Sequence, residues 1–317
     1  MLWFLAGLAA LVAGAEVMVR GGAKVASRFG ISPIVIGLTV VSIGTSMPEL
    51  AVGVVAATEG NGALAVGNIA GTNVVNLLLV LGLSALLLPL ALEIRTLRFE
   101  LPVMACAAVL LLLLAFDGVL SRFDGVVLTV GAVAYTVAVV RTARRESRDV
   151  TTEFTAAYPK PEVPERTALH IGMTLAGIAI IVIGAERLVD AAVGMAREFN
   201  VSDALIGLTV VAIGTSAPEL VTTVVSTLRG ERDIAIGNLL GSSIYNILLI
   251  LGITCLVPTH GLALPAQLVR IDIPIMVAVA IVCIPIFVTG RRVTRLEGGA
   301  MVGAYLAFLA FLLTTQT

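Results

Sequence analysis

Two acidic residues, Glu49 and Glu219, stand in stretches that otherwise carry almost no charge. Each belongs to the same short phrase, GTSMPEL at 44–50 and GTSAPEL at 214–220, in which two hydroxyls and a proline precede the acid. If these stretches cross a bilayer, a carboxylate near its centre costs at least about 3 kcal/mol on insertion scales, and two together repel. Structure alone gives no reason to keep them; holding a cation does. Pro48 removes an amide donor and crowds the carbonyl of Gly44 four residues back, and Pro218 does the same to Gly214. Carbonyls from roughly Ser42 to Thr45 and from Ala212 to Thr215 are therefore expected to lose their helical partners. With the hydroxyls and carboxylates they form a hard oxygen ligand set of the kind Ca²⁺ and Na⁺ prefer. No His or Cys cluster competes, which argues against zinc or copper.

Spacing gathers further groups. Thr45 and Glu49 are four apart and share a helical face, and Thr215 with Glu219 repeats that geometry. The next apolar stretch supplies Thr72 and Asn76, again four apart, and its later counterpart supplies Ser242 and Asn246. Other polar residues read as structural: Thr39 and Thr209 as bonded to their own helix, and Gly37, Gly67 and Gly71 as close-packing positions. Asn68 and Asn238 read first as caps of a break, ahead of ligation. Ser46 and Ser216 fit either role. Asn73 departs from its counterpart Ser243, which argues against a shared ligand role. Glu16 and Glu186 also correspond, but near span ends, where an interfacial or packing role fits better. The isolated cysteines Cys106, Cys255 and Cys283 read as small core residues.

The elements that must position these groups are helices in a membrane. The chain has 317 residues, 58% hydrophobic and 13% charged, with mean hydropathy +1.06, far from a soluble composition. A β-barrel would need alternation that Leu101–Phe116 lacks. Apolar runs of bilayer length predict ten spans, roughly 2–20, 32–57, 63–89, 99–116, 124–140, 168–188, 202–227, 233–257, 268–288 and 297–314. No basic residue precedes the first run, so it reads as a span and not as a signal peptide. Residues 32–83 and 202–253 align without a gap at a shift of 170, with 26 identities in 52 positions, polar residues included, which marks a duplication. Five spans per copy, an odd number, insert the second copy upside down.

Charge agrees. With 143–166 placed in the cytoplasm, 16 of the 20 Lys and Arg fall on cytoplasmic sides, so both termini are expected outside. Inverted repeats typify secondary transporters, with sites at the midplane where the halves meet. The domain reading is a first five-helix half (1–142), a flexible polar connector (143–166) containing Pro159, Pro161 and Pro164, and a second half (167–317). Nothing resembles a nucleotide loop, which argues against a pump. The expected class is a transporter, not an enzyme, with no organic cofactor, nucleic acid or obligate protein partner implied.

GTSMPEL with GNIAGTNVVN, and GTSAPEL with GNLLGSSIYN, resemble the paired α-repeats of the cation/Ca²⁺ antiporters, in particular a prokaryotic member of the Na⁺/Ca²⁺ exchanger branch. The resemblance covers nearly the whole chain. It implies an all-α polytopic fold of ten transmembrane helices in two inverted five-helix repeats, in the plasma (inner) membrane. It implies Ca²⁺ and Na⁺ as transported ions. By that resemblance Glu49 and Glu219 are the central carboxylates. Thr45 and Thr215 coordinate through backbone carbonyls, Ser46 and Ser216 line the outer and inner Na⁺ positions, and Ser42 and Ala212 give carbonyls to them. Thr72 and Ser242 stand where serine is usual, and Asn76 with Asn246 fills the last polar position. Some relatives carry aspartate at the position of Asn246; its absence argues against K⁺ coupling and removes one proton-binding group. The resemblance further implies three Na⁺ per Ca²⁺. H⁺/Ca²⁺ exchange is the rival reading, and a cation channel a more distant one.

Overall fold

In the computed structural model, residues 2–29, 31–91, 96–157, 167–198 and 212–315 are described. Among them the chain forms ten helical rods. They are α1 (Leu2–Phe29), the bent pair α2a (Pro33–Thr45) and α2b (Met47–Thr58), and α3 (Gly62–Leu87). Then come α4 (Leu101–Leu114), α5 (Arg122–Ala157) and α6 (Thr167–Glu198), followed by α7a (Ala212–Thr215) with α7b (Ala217–Leu228). The last are α8 (Arg232–Leu256), α9 (Leu268–Val288) and α10 (Arg295–Thr315). Seven of these are individually long and apolar enough to cross a bilayer, and the α2 pair makes an eighth. The ten expected spans fit this series: α4 is preceded by a π-helical turn (Thr96–Glu100), and much of the seventh span precedes Ala212, outside the described residues.

The halves interleave. α1 packs along α6, its counterpart, and α4 along α9. α5 lies on α8 of the second half while α10 lies on α3 of the first. The α1–α6 contact is made backbone to backbone: a Cβ on Gly14 would lie 2.9 Å from the Gly177 carbonyl and one on Gly184 3.1 Å from the Gly7 carbonyl. Small residues are what allow helices to approach so closely in a membrane, where hydrophobic exclusion cannot drive them together. Four short strands repeat the interleaving: β1 (Leu90–Ala91) pairs antiparallel with β4 (Arg292–Val293), and β2 (Val119–Leu120) with β3 (Leu262–Ala263). Each pair joins one loop of the first half to one of the second. Caps do likewise. Arg122 donates to the carbonyls of Pro258 and Val257 beyond α8, and Arg295 to that of Leu87 at the end of α3. Leu87 and Val257 are related by the 170-residue shift, so the two caps are one interaction used twice.

Two expectations need correction. The first part of the connector is helical, since α5 continues to Ala157. Residues 143–157 contain no Gly or Pro, so nothing stops the helix before Pro159; residues 158–166 lie outside the described ones. Cys255 and Cys283 are buried as expected, but Cys106 is exposed. Its helix, α4, is apolar all round, so sequence pattern could not assign it a face.

Candidate functional site

The two motif helices break at a single residue. Ser46 (φ −84°, ψ 8°) separates α2a from α2b, with a bend of 41°, and Ser216 (φ −85°, ψ 1°) separates α7a from α7b. In both, proline occupies the first turn of the second segment, where its missing N–H is no loss. Because the break is so short, the freed stretch is shorter than expected. The Ser42 carbonyl still accepts from the Ser46 amide at 3.1 Å, and the Ser42 hydroxyl bonds the Gly37 (2.5 Å) and Asn238 (3.1 Å) carbonyls. Ser42 thereby fastens α2a to α8, where a Cβ on Gly37 would meet the Ile234 carbonyl at 2.7 Å. Gly37 is thus a close-packing position, as expected. Among the described residues a Cβ on Gly67 would find only a Leu268 methyl at 3.8 Å and one on Gly71 no atom within 4 Å; the counterparts of the residues that crowd Gly237, at 204, 207 and 208, lie outside the described ones.

Glu49 and Glu219 open α2b and α7b, and both are fully buried. They are close enough for their charges to act on each other. Ser46 donates to Glu219 Oε1 at 3.2 Å across the interface of the halves, and Ser242 to the same oxygen at 3.4 Å. Glu219 Oε2 and both oxygens of Glu49 have no protein hydrogen-bond partner. Neither has either polar atom of the Asn76 or Asn246 amide, each fully buried. Buried polar atoms are almost always satisfied, so five orphaned oxygens sharing one neighbourhood mark a place for a ligand that supplies no acceptor of its own. A hard cation is such a ligand. Among the described residues no group of three or more His, Cys, Asp and Glu exists, so the acid content of the site is the two glutamates.

The asparagines reach the site through backbone irregularities. Asn76 lies in a π-helical turn, Val75–Val80, and Asn246 in its counterpart, Asn246–Leu251. The turn with Asn246 packs on α2b, which carries Glu49, and the turn with Asn76 packs on α7b, which carries Glu219. Each turn thus lies against the helix that carries the other half's carboxylate. Such wide turns recur where a helix must aim a side chain at a functional site, and nothing in residue type announced them.

The remaining candidates sort clearly. Thr72, Ser242, Thr45, Thr215 and Ser216 are buried, and Ala212 begins α7a. The Thr45 hydroxyl donates to Asn238 Oδ1 at 3.1 Å and also lies close enough to Glu219 to interact with its carboxylate. Asn238 spends its amide on structure, with Nδ2 donating to Thr223 Oγ1 at 3.3 Å. Thr39 bonds its own helix at the Val35 carbonyl, as expected, while Thr209 lies outside the described residues. Asn73 donates to Met276 Sδ and Ser243 to the Leu239 carbonyl, so this unequal pair is used in packing. Glu16 takes the interfacial role: it accepts from Arg229 Nε at 2.7 Å and pairs with Arg20. Glu186 is exposed.

One buried acid escaped the sequence reading. Glu100 is fully buried at the start of α4 and accepts from the Tyr135 hydroxyl at 3.0 Å; Tyr135 in turn meets the Tyr245 ring edge-on, 5.4 Å between centroids. Its counterpart in the second half is Asp272, at the end of the matching π-helical turn Leu268–Asp272; the two are related by a shift of 172, so the gapless alignment, which stops at residue 83, never brought these acids together.

Known proteins share this arrangement. The family model described as sodium/calcium exchanger protein matches residues 1–141 and 169–314. The inner membrane protein YrbG of Escherichia coli strain K12 is 37% identical over 309 residues, covering 96% of this chain and 94% of that protein. The sodium/calcium exchanger MaX1 of Methanosarcina acetivorans is 33% identical over 344 residues, covering 97% of each. A solved structure of the sodium-calcium exchanger NCX_Mj, soaked with Na⁺ and Sr²⁺, superposes with TM-score 0.83 at 27% identity, covering 97% of this chain and 96% of that one.

Proposed function

The chain belongs to the sodium/calcium exchanger family, and from that premise we propose that it exchanges Na⁺ for Ca²⁺ by alternating access, both ions competing for the carboxylates of Glu49 and Glu219. The observation that carries this reading is the set of orphaned oxygens at Glu49, Glu219, Asn76 and Asn246. One Ca²⁺ offsets the two carboxylates. Two Na⁺ do so as well, and a third, in the stoichiometry the resemblance implies, leaves the pocket at +1 and makes each cycle move charge. Because both ions need the same pair, occupancy by one excludes the other. The empty pocket, with two uncompensated charges in a low dielectric, is poorly placed to change sides, which suppresses leak.

The backbone carbonyls of Thr45 and Thr215 and the hydroxyls of Ser46, Ser216, Thr72 and Ser242 complete the proposed oxygen set, with Ser42 and Ala212 at its edge. Ser46 and Ser242 tie Glu219 in place, while Glu49 is free of such ties, so Glu49 is the carboxylate we expect to respond most to ion exchange. The arginine and lysine bias supports both termini outside and residues 143–166 in the cytoplasm. The strand pairs support ten crossings, since each joins loops that ten crossings put on one side.

The test is purified protein in liposomes, with ⁴⁵Ca²⁺ uptake driven by an outward Na⁺ gradient at equal pH on both sides. Uptake that requires Na⁺ supports the proposal. Uptake driven by a pH gradient and indifferent to Na⁺ would replace it with H⁺/Ca²⁺ exchange, and flux without counter-ion would make the protein a channel.

A further inference from the structure

Buried hydroxyls in this protein have a usual destination, the carbonyl one turn back in their own helix. Thr174 bonds His170, Thr227 bonds Thr223, Ser243 bonds Leu239 and Thr254 bonds Ile250, and the half-buried Thr129 and Thr136 do the same with Gly125 and Ala132. Ser42, Thr45, Ser46 and Ser242 instead reach groups on other helices or the Glu219 carboxylate; three fully buried hydroxyls among the described residues do neither. Ser84, Thr222 and Ser226, each fully buried, have no partner at all.

These three are not scattered. Thr222 and Ser226 follow Glu219 by three and seven residues, which keeps them on the carboxylate's face of α7b. Ser84 follows Asn76 by eight residues on α3, and α7b packs against this part of α3. All three lie between the ion site and the ends of the helices at Leu87 and Leu228. Two neighbouring hydroxyls, Thr223 and Thr227, are committed to Asn238 and to the backbone, and so bound the set on its α8 side. The other half has no such feature. The counterparts of Thr222 and Ser226 are Val52 and Ala56, and that of Ser84 is Thr254, whose hydroxyl is bonded to Ile250 and would lie 2.7 Å from a Cβ on Gly53.

We propose that Ser84, Thr222 and Ser226 form a neutral oxygen subsite that holds Na⁺ in transit between the carboxylates and the face bearing Leu87 and Leu228. Uncharged hydroxyls can replace part of the hydration shell of a monovalent hard cation, whereas a divalent ion needs the carboxylates to offset its charge. The subsite therefore favours Na⁺ on one side of the membrane only. It deepens the exchanger reading and rests on it.

The test gives the second half the residues of the first: Thr222→Val with Ser226→Ala, in full-length protein reconstituted with its sidedness fixed by thiol labelling of Glu231→Cys in a Cys106→Ser background. The Na⁺ concentration that half-drives ⁴⁵Ca²⁺ exchange should rise about 3-fold or more when Na⁺ is varied on the Glu231 face, and stay unchanged on the opposite face. Ca²⁺ binding to the detergent-purified variant should match wild type, which also shows that it is folded. Thr222→Ser, which keeps the hydroxyl, should behave as wild type. Equal Na⁺ dependence in variant and wild type on the Glu231 face overturns the subsite, as does an equal shift on both faces. Removing an unbonded buried hydroxyl relieves a desolvation cost, so a merely structural role would show as a variant that melts no lower and transports normally. Wild-type protein that exchanges Ca²⁺ without need of Na⁺ would instead sink the exchanger reading itself, a separate result.

Discussion

Glu219 Oε1 accepts from Ser46 and Ser242, while neither oxygen of Glu49 accepts from any side chain. Replacing either acid by glutamine keeps the shape and removes half of the site's charge. Glu49→Gln and Glu219→Gln should each reduce ⁴⁵Ca²⁺ exchange by at least about 100-fold, roughly 2.7 kcal/mol of ion binding, with an unchanged elution profile on size exclusion. Near-normal exchange by either variant would remove that residue from the site. Asn246→Asp adds a third acid whose charge only another bound cation or a proton can offset. Exchange by that variant should fall more steeply than wild type as pH is lowered from about 9 to 6, and superimposed profiles would mean that residue 246 does not face the ions. The acids and amides were legible in the sequence because burying them has no other rationale and because each occurs twice at fixed spacing. The role of Asn238 as a bracket for Thr45 and Thr223 was legible only in part. Thr223 has Gly53 as its counterpart, and an interaction made in one copy alone leaves no repeat to read.

Helices were easier to foresee than the places where they deviate. Proline and glycine foretold the breaks at Ser46 and Ser216, since a missing donor is a property of residue type. The π-helical turns at Asn76 and Asn246 lie in plain Leu-, Ile- and Val-rich sequence, so they arise from packing between helices and left no local signal. The short length of the break likewise decided which carbonyls remain occupied, and the Ser42 carbonyl keeps the Ser46 amide that the sequence led one to expect it to lose. The α1–α6 contact yields a prediction of its own. A leucine at Gly14 would press into the Gly177 carbonyl and the Ile181 amide, each 2.9 Å from the first added carbon. Overpacking of this kind costs about 1–3 kcal/mol. Gly14→Leu should therefore lower the melting temperature in detergent by several degrees and slow exchange, while Leu5→Ala, at an exposed position of the same helix, should do neither. Equal melting curves for Gly14→Leu and wild type would show that the two helices are free to separate.

At the scale of the whole molecule, the gapless repeat and the odd number of spans per copy announced the inverted halves, and membership of the sodium/calcium exchanger family agrees with them. What no periodicity could reveal is that the halves are not side by side. α10 rests on α3, α5 on α8, and each strand pair takes one strand from each half. The connector is the only covalent link between units already held together at both ends of the molecule. Cutting the chain within residues 158–166 and producing the two pieces together should therefore restore ⁴⁵Ca²⁺ exchange, with the pieces co-purifying, whereas either piece alone should be degraded. A lone piece that accumulates as a stable monomer would contradict the interleaving. The same interleaving speaks to ancestry. A single half lacks the partner strands, the capping arginine and the second carboxylate, so the unit that was duplicated could have worked only as an antiparallel homodimer, one copy inserted each way up. Fusion of the two genes then freed each copy to diverge, and the hydroxyls that line one side of the site but not the other are a trace of that freedom.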